Sequence, residues 1–394
     1  MSANGIVILS GVRTPMGGFQ GELSGRTAPE LGAAVIGEAV KRAGVAASDI
    51  DETVMGCVLP AGLGQAPARQ AAVYAGVPFD VPATTINKMC GSGMKAVMMA
   101  ADQISAGRAT LAIAGGMESM SNAPYLLPKA RGGYRMGHQV AQDHMFLDGL
   151  EDAYEKGRLM GTFAEDCATT YRFTREAQDE FALASLSRAL GANNDGTFAW
   201  EIAPVTVTGK KGETHIAKDE QPAKASPEKI PTLKPAFRQD GTVTAANASS
   251  ISDGAAALVL MARSTAEKRG LAPLAVVVGH ATHAQAPGEF STAPVGAIAK
   301  LYAKTGWTTR DVDLFEINEA FAVVTMAAMK EHGIPHERVN VHGGACALGH
   351  PIGASGARIL VTLLGALRKH GKKRGVAALC IGGGEATAMA IELL

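Results

Sequence analysis

Short apolar runs alternate with stretches of helical period at both ends of this 394-residue chain, and that alternation limits the fold more than any other feature. Residues 5–10 (GIVILS) read as a buried strand. Residues 29–43 carry apolar side chains at helical spacing and stop at Gly44, which suits a helix C-terminus. Residues 53–59 and 111–114 (LAIA) read as further strands. Strand–helix–strand alternation argues for an α/β protein with a largely parallel sheet. From about 121 to 247 the charge density rises and the alternation fades, leaving one clear helix at 175–190 and a Pro- and Lys-dotted stretch at 218–235. This part is expected to be an inserted, loop-rich region. Alternation resumes at 253–261 and continues to residue 394.

Two segments look alike. Cys-Gly-Ser-Gly at 90–93 precedes a helix-like run, the strand LAIA and Gly-Gly-Met-Glu at 115–118. Gly-Ala-Ser-Gly at 353–356 precedes another helix-like run, the strand VAALCI and Gly-Gly-Gly-Glu at 382–385. Glu118 follows Cys90 by 28 positions and Glu385 follows Gly353 by 32. Two copies of one strand–turn–helix–strand unit would explain this; Gly-rich turns common to α/β chains would also, and the pattern leaves both open.

Composition narrows the function. Lys plus Arg and Asp plus Glu both number 37, and a zero balance argues against nucleic-acid binding and against a polybasic membrane surface. At 47% hydrophobic and 19% charged residues the chain is not generally disordered. The five cysteines (57, 90, 167, 346, 380) form no CxxC pair, so a CxxC-type zinc or redox motif is not expected and a reducing compartment is. No signal-peptide pattern opens the chain, and the uncharged run 339–357 is Gly-rich and holds Asn340, His342 and His350, unlike a lipid-spanning helix. A soluble cytoplasmic protein is expected. Neither GxxxxGK[ST] nor a GxGxxG opening the first βαβ unit occurs, so nucleotide-cofactor readings lack support.

Four places could carry chemistry. Cys90 ends an extended run just before Gly-Ser-Gly opens a helix, where the dipole and free N–H groups would stabilise a thiolate nucleophile; a small buried Cys in a tight turn is the alternative. His350, in Gly-His-Pro-Ile-Gly, sits on a Gly-lined loop before a helix, placed to deprotonate a thiol and help hold an oxyanion, or simply to cap or pack, with His342 a nearby competitor. Cys380 lies on a strand running into three glycines whose N–H groups are free to face a ligand, with a buried strand Cys as the alternative. Asn318 and Glu319 follow a strand-like run, as site residues or as a helix N-cap pair.

Taken together and in order, 87–93 (NKMCGSG), 318–321 (NEAF), 349–356 (GHPIGASG) and 380–384 (CIGGG) resemble the thiolase family. So do 12–15 (VRTP) and 115–121 (GGMESMS), and the resemblance spans essentially the whole chain. Within the family it is closest in pattern to the acetyl-CoA acetyltransferase (acetoacetyl-CoA thiolase) branch, which 65–70 (QAPARQ) and 131–137 (RGGYRMG) support.

The resemblance implies a five-layer αβαβα fold of two similar halves, each with a mixed five-stranded sheet. It implies an N-terminal half at 1–120 completed by 249–270, an inserted loop domain at 121–248 that covers the substrate and binds CoA, and a C-terminal half at 271–394. It also implies a homotetramer, a dimer of dimers, with 123–136 in the tetramerisation loop. The implied reaction is the reversible condensation of two acetyl-CoA to acetoacetyl-CoA and CoA, with thiolysis in reverse. CoA thioesters are substrates, and no cofactor or metal is implied.

The implied roles are Cys90 as acylated nucleophile, His350 as its activator and an oxyanion-hole donor, Cys380 as general acid/base, Asn318 as orienter of an oxyanion-hole water, and the Gly382 N–H as a backbone donor. Ser249, Phe237, Met160 and Phe321 match CoA-contact positions. The chain departs from the branch at Leu159, where His is usual, at 289–294 (EFSTAP), which places Phe290 in the wall, near 221–224, and at Cys346, where Ile is usual. The first two make the pocket more apolar, so a broader 3-ketoacyl-CoA thiolase is the alternative. Cys346 reads as a packing substitution, with redox modulation as the other reading. A ketoacyl synthase would lack the second Cys, and a non-catalytic acyl-CoA scaffold would be expected to lose at least one of Cys90, Asn318, His350 and Cys380.

Overall fold

The computed structural model describes residues 5–209 and 212–394. Nine strands and the two-residue strand Gly17–Gly18 form one mixed sheet. Its order is Leu314–Ile317, Arg374–Ile381, Glu385–Leu393, Ala275–Ala284, Ile6–Arg13, Ser252–Ala262, Leu111–Ser119, Glu52–Gly56 and Ala83–Ile86. Pairing is antiparallel through the middle and parallel only towards the two ends. The expectation of a largely parallel sheet is corrected here. The 374–381 and 385–393 strands are joined by a tight Gly turn rather than a helix, and strand 252–262 returns from far along the chain to lie between 6–13 and 111–119. Helix–strand alternation does not reveal either step.

The internal repeat is real. The order 6–13, 252–262, 111–119, 52–56, 83–86 in one half matches 275–284, 385–393, 374–381, 314–317 in the other, with the same strand directions, and a parallel bridge from Phe315 to Val339 stands where the fifth strand would be. Helices Ala28–Ala43, Pro67–Tyr74 and Ser92–Ser105 correspond in chain position to Ala293–Thr305, Ala322–His332 and Ile352–Lys369. The two halves join where Ile6, Val7 and Ile8 pair with Val277, Val276 and Ala275.

Strand side chains alternate between two faces, and both faces here are apolar. Val7, Leu9, Leu111, Ile113, Val259 and Met261 pack under helices 28–43 and 67–74. Ile8, Ala112, Ala114, Leu258 and Leu260 point the other way, into a core shared by helices 92–105 and 352–369 and by Leu314, Ala377, Leu379, Met389 and Ile391 of the other half. Phe315, Ile317, Val376 and Ala388 face helix 293–305 on the far side. Helices, half-sheet, paired helices, half-sheet, helices is thus the order of five layers.

Between strands 111–119 and 252–262 lie helices Met160–Tyr171 and Arg175–Asn194, the latter longer than the expected 175–190 and capped by the Thr174 hydroxyl, which accepts from the Ala177 N–H at 3.2 Å. Arg13 is fully buried and grips Asp219 with both terminal nitrogens (2.7 and 2.9 Å) while pairing with Glu201. Asn193 donates to the Asp219 carbonyl at 2.8 Å, so this stretch is tied to strand 6–13. No helix among the described residues is long and apolar enough to cross a membrane.

Candidate active site

Strand 83–86 leads into a tight turn before helix 92–105. Met89 sits at φ +47°, a strained left-handed conformation. The Ser92 hydroxyl accepts from the Lys88 N–H (2.8 Å) and donates to the Met89 carbonyl (2.6 Å), locking the turn. Gly91 leaves room for a close neighbour, since a Cβ there would lie 2.4 Å from Ile381 Cδ1 and displace that side chain. The turn holds Cys90 half-buried, with the Gly382 N–H and the N–H of Cys90 itself directed at its sulfur. The two N–H groups favour the thiolate, as expected of this turn. Burial outweighs those two N–H groups and pushes the thiol up to about 11, so it rests protonated and needs a base.

His350 supplies an unprotonated nitrogen. Its loop, between helices Ala345–Leu348 and Ile352–Lys369, is fixed by its N–H donating to the Ser250 carbonyl (3.1 Å) and Ser252 Oγ (3.2 Å). Nδ1 lies 2.5 Å from Ser355 Oγ, and that hydroxyl gives its one proton to the Pro351 carbonyl at 3.0 Å. The Ser355 oxygen must then accept from Nδ1–H, which leaves Nε2 as the free base. Nε2 is buried with no hydrogen-bond partner among the described residues. Burial, reinforced by the Arg358 guanidinium, pushes the imidazole down to about 3, so it is neutral at any physiological pH.

Cys380 ends strand 374–381, buried, its thiol raised well above the usual range by burial first and by the neighbouring Cys90 charge second. Gly383 and Gly384, at φ +92° and +87°, turn the chain so that the Gly382 N–H faces inward.

These groups line one cavity of about 380 Å³. Cys90, His350, Cys380, Gly382, Ser249, Phe237, Met160, Phe321, Leu159 and Phe290 all contribute to its wall. The aromatic side meets edge to face, with ring centroids 6.0 Å apart for Phe237–Phe321 and 6.4 Å for Phe290–Phe321. Ser249 donates to the Ala320 carbonyl through both N–H (3.0 Å) and Oγ (2.9 Å), joining the loop to the NEAF segment. Asn318 stands one layer back. Its Oδ1 accepts from Arg358 at 3.5 Å, and its buried Nδ2 has no partner among the described residues. His342 is absent from the wall; it meets His370 at 3.2 Å instead. Gln221 is also off the wall and hydrogen-bonds Ser250 and Ser252, behind the His350 loop. Cys346 is packed, its N–H on Glu319 Oε2 (3.0 Å) and its Sγ on the Glu319 carbonyl (3.8 Å).

Sequence reasoning passed over Ser355, which sets the His350 tautomer, and Arg358, which meets Asn318. The signal for Ser355 was present as the serine of Gly-Ala-Ser-Gly, five residues after His350 and so one helical turn beyond the loop.

Two family models match the chain, thiolase N-terminal domain over residues 6–264 and thiolase C-terminal domain over 271–393. Acetyl-CoA acetyltransferase 2 of Arabidopsis thaliana is 52% identical over 392 residues, 99% of this chain and 97% of that protein. The acetyl-CoA acetyltransferase of Cupriavidus necator is 49% identical over 389 residues, 98% of this chain and 99% of its own. Among solved structures, a thiolase of Ascaris suum in complex with coenzyme A superposes with TM-score 0.94 at 44% identity, covering 99% of this chain and 100% of that one. The acetyl-CoA acetyltransferase of Bacillus anthracis reaches TM-score 0.96 at 43% identity, covering 99% of each. With both halves matched and the likeness running nearly end to end, the chain belongs to the thiolase family of acyltransferases.

Proposed function

We propose that this chain is an acetyl-CoA C-acetyltransferase that condenses two acetyl-CoA to acetoacetyl-CoA and CoA, and runs thiolysis in reverse. The observation that carries this reading is the meeting of Cys90, the free Nε2 of His350, Cys380 and the Gly382 N–H on one apolar cavity.

His350 Nε2 takes the Cys90 proton and the thiolate attacks the acetyl-CoA carbonyl. The oxyanion is held by the N–H groups of Cys90 and Gly382. Collapse expels CoA thiolate, which takes the proton of Cys380, so that Cys380 is left as thiolate, His350 stays protonated at Nε2 and an acetyl thioester stays on Cys90. A second acetyl-CoA then loses its α-proton to Cys380. Its enolate oxygen is held by protonated Nε2 and by a water that Asn318 Nδ2 orients. The enolate carbon attacks the acyl group, releasing acetoacetyl-CoA and the Cys90 thiolate, which takes back its proton from Nε2 and restores the free base. CoA thioesters are the only small molecules the cycle needs, so no cofactor or metal is assigned. Ser249, Met160, Phe237 and Phe321 are assigned to the pantetheine arm, with residues 121–248 as the covering, CoA-binding part.

We assign a homotetramer, a dimer of dimers, to the protein in solution. Tyr125, Leu127, Met136 and Val140 are exposed on the 123–140 segment, an apolar surface that a second copy would cover. Five free cysteines support a reducing, cytoplasmic compartment, and the proposed acetoacetyl-CoA chemistry is what supports a place in fatty-acid metabolism.

The test is incubation with acetyl-CoA followed by peptide mass spectrometry, alongside thiolysis of a series of 3-ketoacyl-CoAs with free CoA. An acetyl adduct on Cys90, absent from Cys90→Ala, and turnover of acetoacetyl-CoA are expected; an adduct of full strength on Cys90→Ala refutes the assignment. Because Leu159 and Phe290 both line the cavity, turnover of longer chains would mark a broader 3-ketoacyl-CoA thiolase.

A further inference from the structure

Behind the cavity, the entrances of helices 92–105 and 352–369 press together. A Cβ on Gly116 would lie 2.0 Å from the Gly353 carbonyl oxygen, and one on Gly356 would lie 2.4 Å from the Met94 nitrogen. Glu118 is fully buried at this junction. Its Oε2 accepts from the N–H groups of Val58 (3.0 Å) and Gly353 (2.9 Å). Its Oε1 accepts from the Leu59 N–H (3.1 Å) and from the Cys57 thiol (3.7 Å). The Gly353 N–H is a first-turn donor with no partner inside its own helix, so a carboxylate from one half of the molecule caps a helix of the other.

We propose that Glu118 is a positioning residue for both proposed reacting side chains, clamping the His350 loop through the Gly353 N–H and, through the Val58 and Leu59 N–H groups, the loop whose apolar cluster Cys90 packs against. The proposal rests on the reading of Cys90 and His350 given above. The titratable side chain in contact with Glu118 is Cys57, on the loop after strand 52–56, and Cys90, at the entrance to helix 92–105, packs against the cluster formed by Val58 and Leu59 of the same loop. Strand 252–262 presents Gly254 beside it, and helix 352–369 presents the Gly353 N–H. Burial holds the Glu118 carboxyl up at about 7, and its charge is one of the influences that raise the Cys90 thiol. Protonation weakens the four donated bonds, because a neutral carboxyl is a poorer acceptor than a carboxylate.

Glu118→Gln removes the charge and turns an NH2 group onto two of the donors. Its Cys90 alkylation-rate profile, read with iodoacetamide, should move to lower pH by about half a unit or more. Its kcat for acetoacetyl-CoA thiolysis should fall about ten- to a hundredfold with KM within about twofold, the pattern of lost orientation rather than lost binding. A profile superposed on the wild type, or a kcat within about twofold of it, overturns the proposal. Should the Gln variant not fold, Glu118→Asp keeps the charge and withdraws the oxygens. It should leave the alkylation midpoint in place and still lower kcat, and an unchanged kcat overturns the proposal. Acetyl-adduct formation on wild-type Cys90 is scored separately: its absence defeats the parent reading, whereas the alkylation profiles still report on Glu118.

Discussion

Phe290 stands where this chain departs from the branch pattern, and its removal gives a quantitative test of what sets acyl-chain length. The ring is 3% exposed, lines the cavity, and meets Phe163 and Phe321 at centroid distances of 6.1 and 6.4 Å. Phe290→Ala opens the wall beside the reacting sulfurs. Each buried methylene is worth about 0.8 kcal/mol, so a ketoacyl chain longer by two methylenes gains about 1.6 kcal/mol if the new space takes it up. At about 1.4 kcal/mol per factor of ten, this is about fifteenfold in relative kcat/KM. The assay is thiolysis of 3-ketohexanoyl-CoA against acetoacetyl-CoA, wild type beside variant, and the ratio should rise by that factor. The substitution also costs stability, about 3–5 kcal/mol for a buried Phe, so thermal unfolding is recorded first. A folded variant whose ratio stays within twofold of wild type would show that Phe290 does not border the acyl group.

Cys380→Ser should still acquire an acetyl group on Cys90, while condensation and thiolysis fall about 10²- to 10⁴-fold; burst release of CoA against steady-state turnover separates the two. Asp219→Ala leaves the buried Arg13 with Glu201 alone and should cost about 3–5 kcal/mol, read as a lowered urea midpoint, and a midpoint equal to wild type would refute it. His342 is held down to about 4 by burial, with His370 3.2 Å away. Between that value and the ordinary 6.5 the unfolded chain binds the extra proton, so His342 favours the fold above pH 6.5 and this advantage is lost as pH falls towards 4. Wild type should therefore lose up to about 3 kcal/mol relative to His342→Gln over that range, and parallel stability curves would contradict it.

The proposed reacting side chains were legible because each sits where a glycine-lined turn follows a strand or opens a helix, a backbone pattern that itself places a side chain at a site. Cys90, His350, Cys380 and Gly382 are of this kind, and they meet. The repeat was visible at its Gly-Ser-Gly turns, but its proof needed strand directions, which come from pairings such as 252–262 with 6–13 that no local pattern encodes. How strongly Cys90 depends on a base was not legible, because a helix N-terminus is local and readable, whereas burial comes from residues remote in sequence. Glu118 was seen only as the end of a repeat. Nothing beside it in the chain reveals that its partners lie at Val58, Leu59 and Gly353.

Helices 92–105 and 352–369 occupy one layer, and each half-sheet rests on both. A duplicated architecture is often imagined as two modules that could be pulled apart. Here a cut in the 264–271 connection would leave each fragment with one central helix and a bare apolar sheet face. Neither fragment should persist as a folded monomer, and co-expressed fragments should reassemble only with each other. Unfolding should consequently proceed as a single event across both matched halves, so a change deep in one half weakens the other's reacting residues to the same degree.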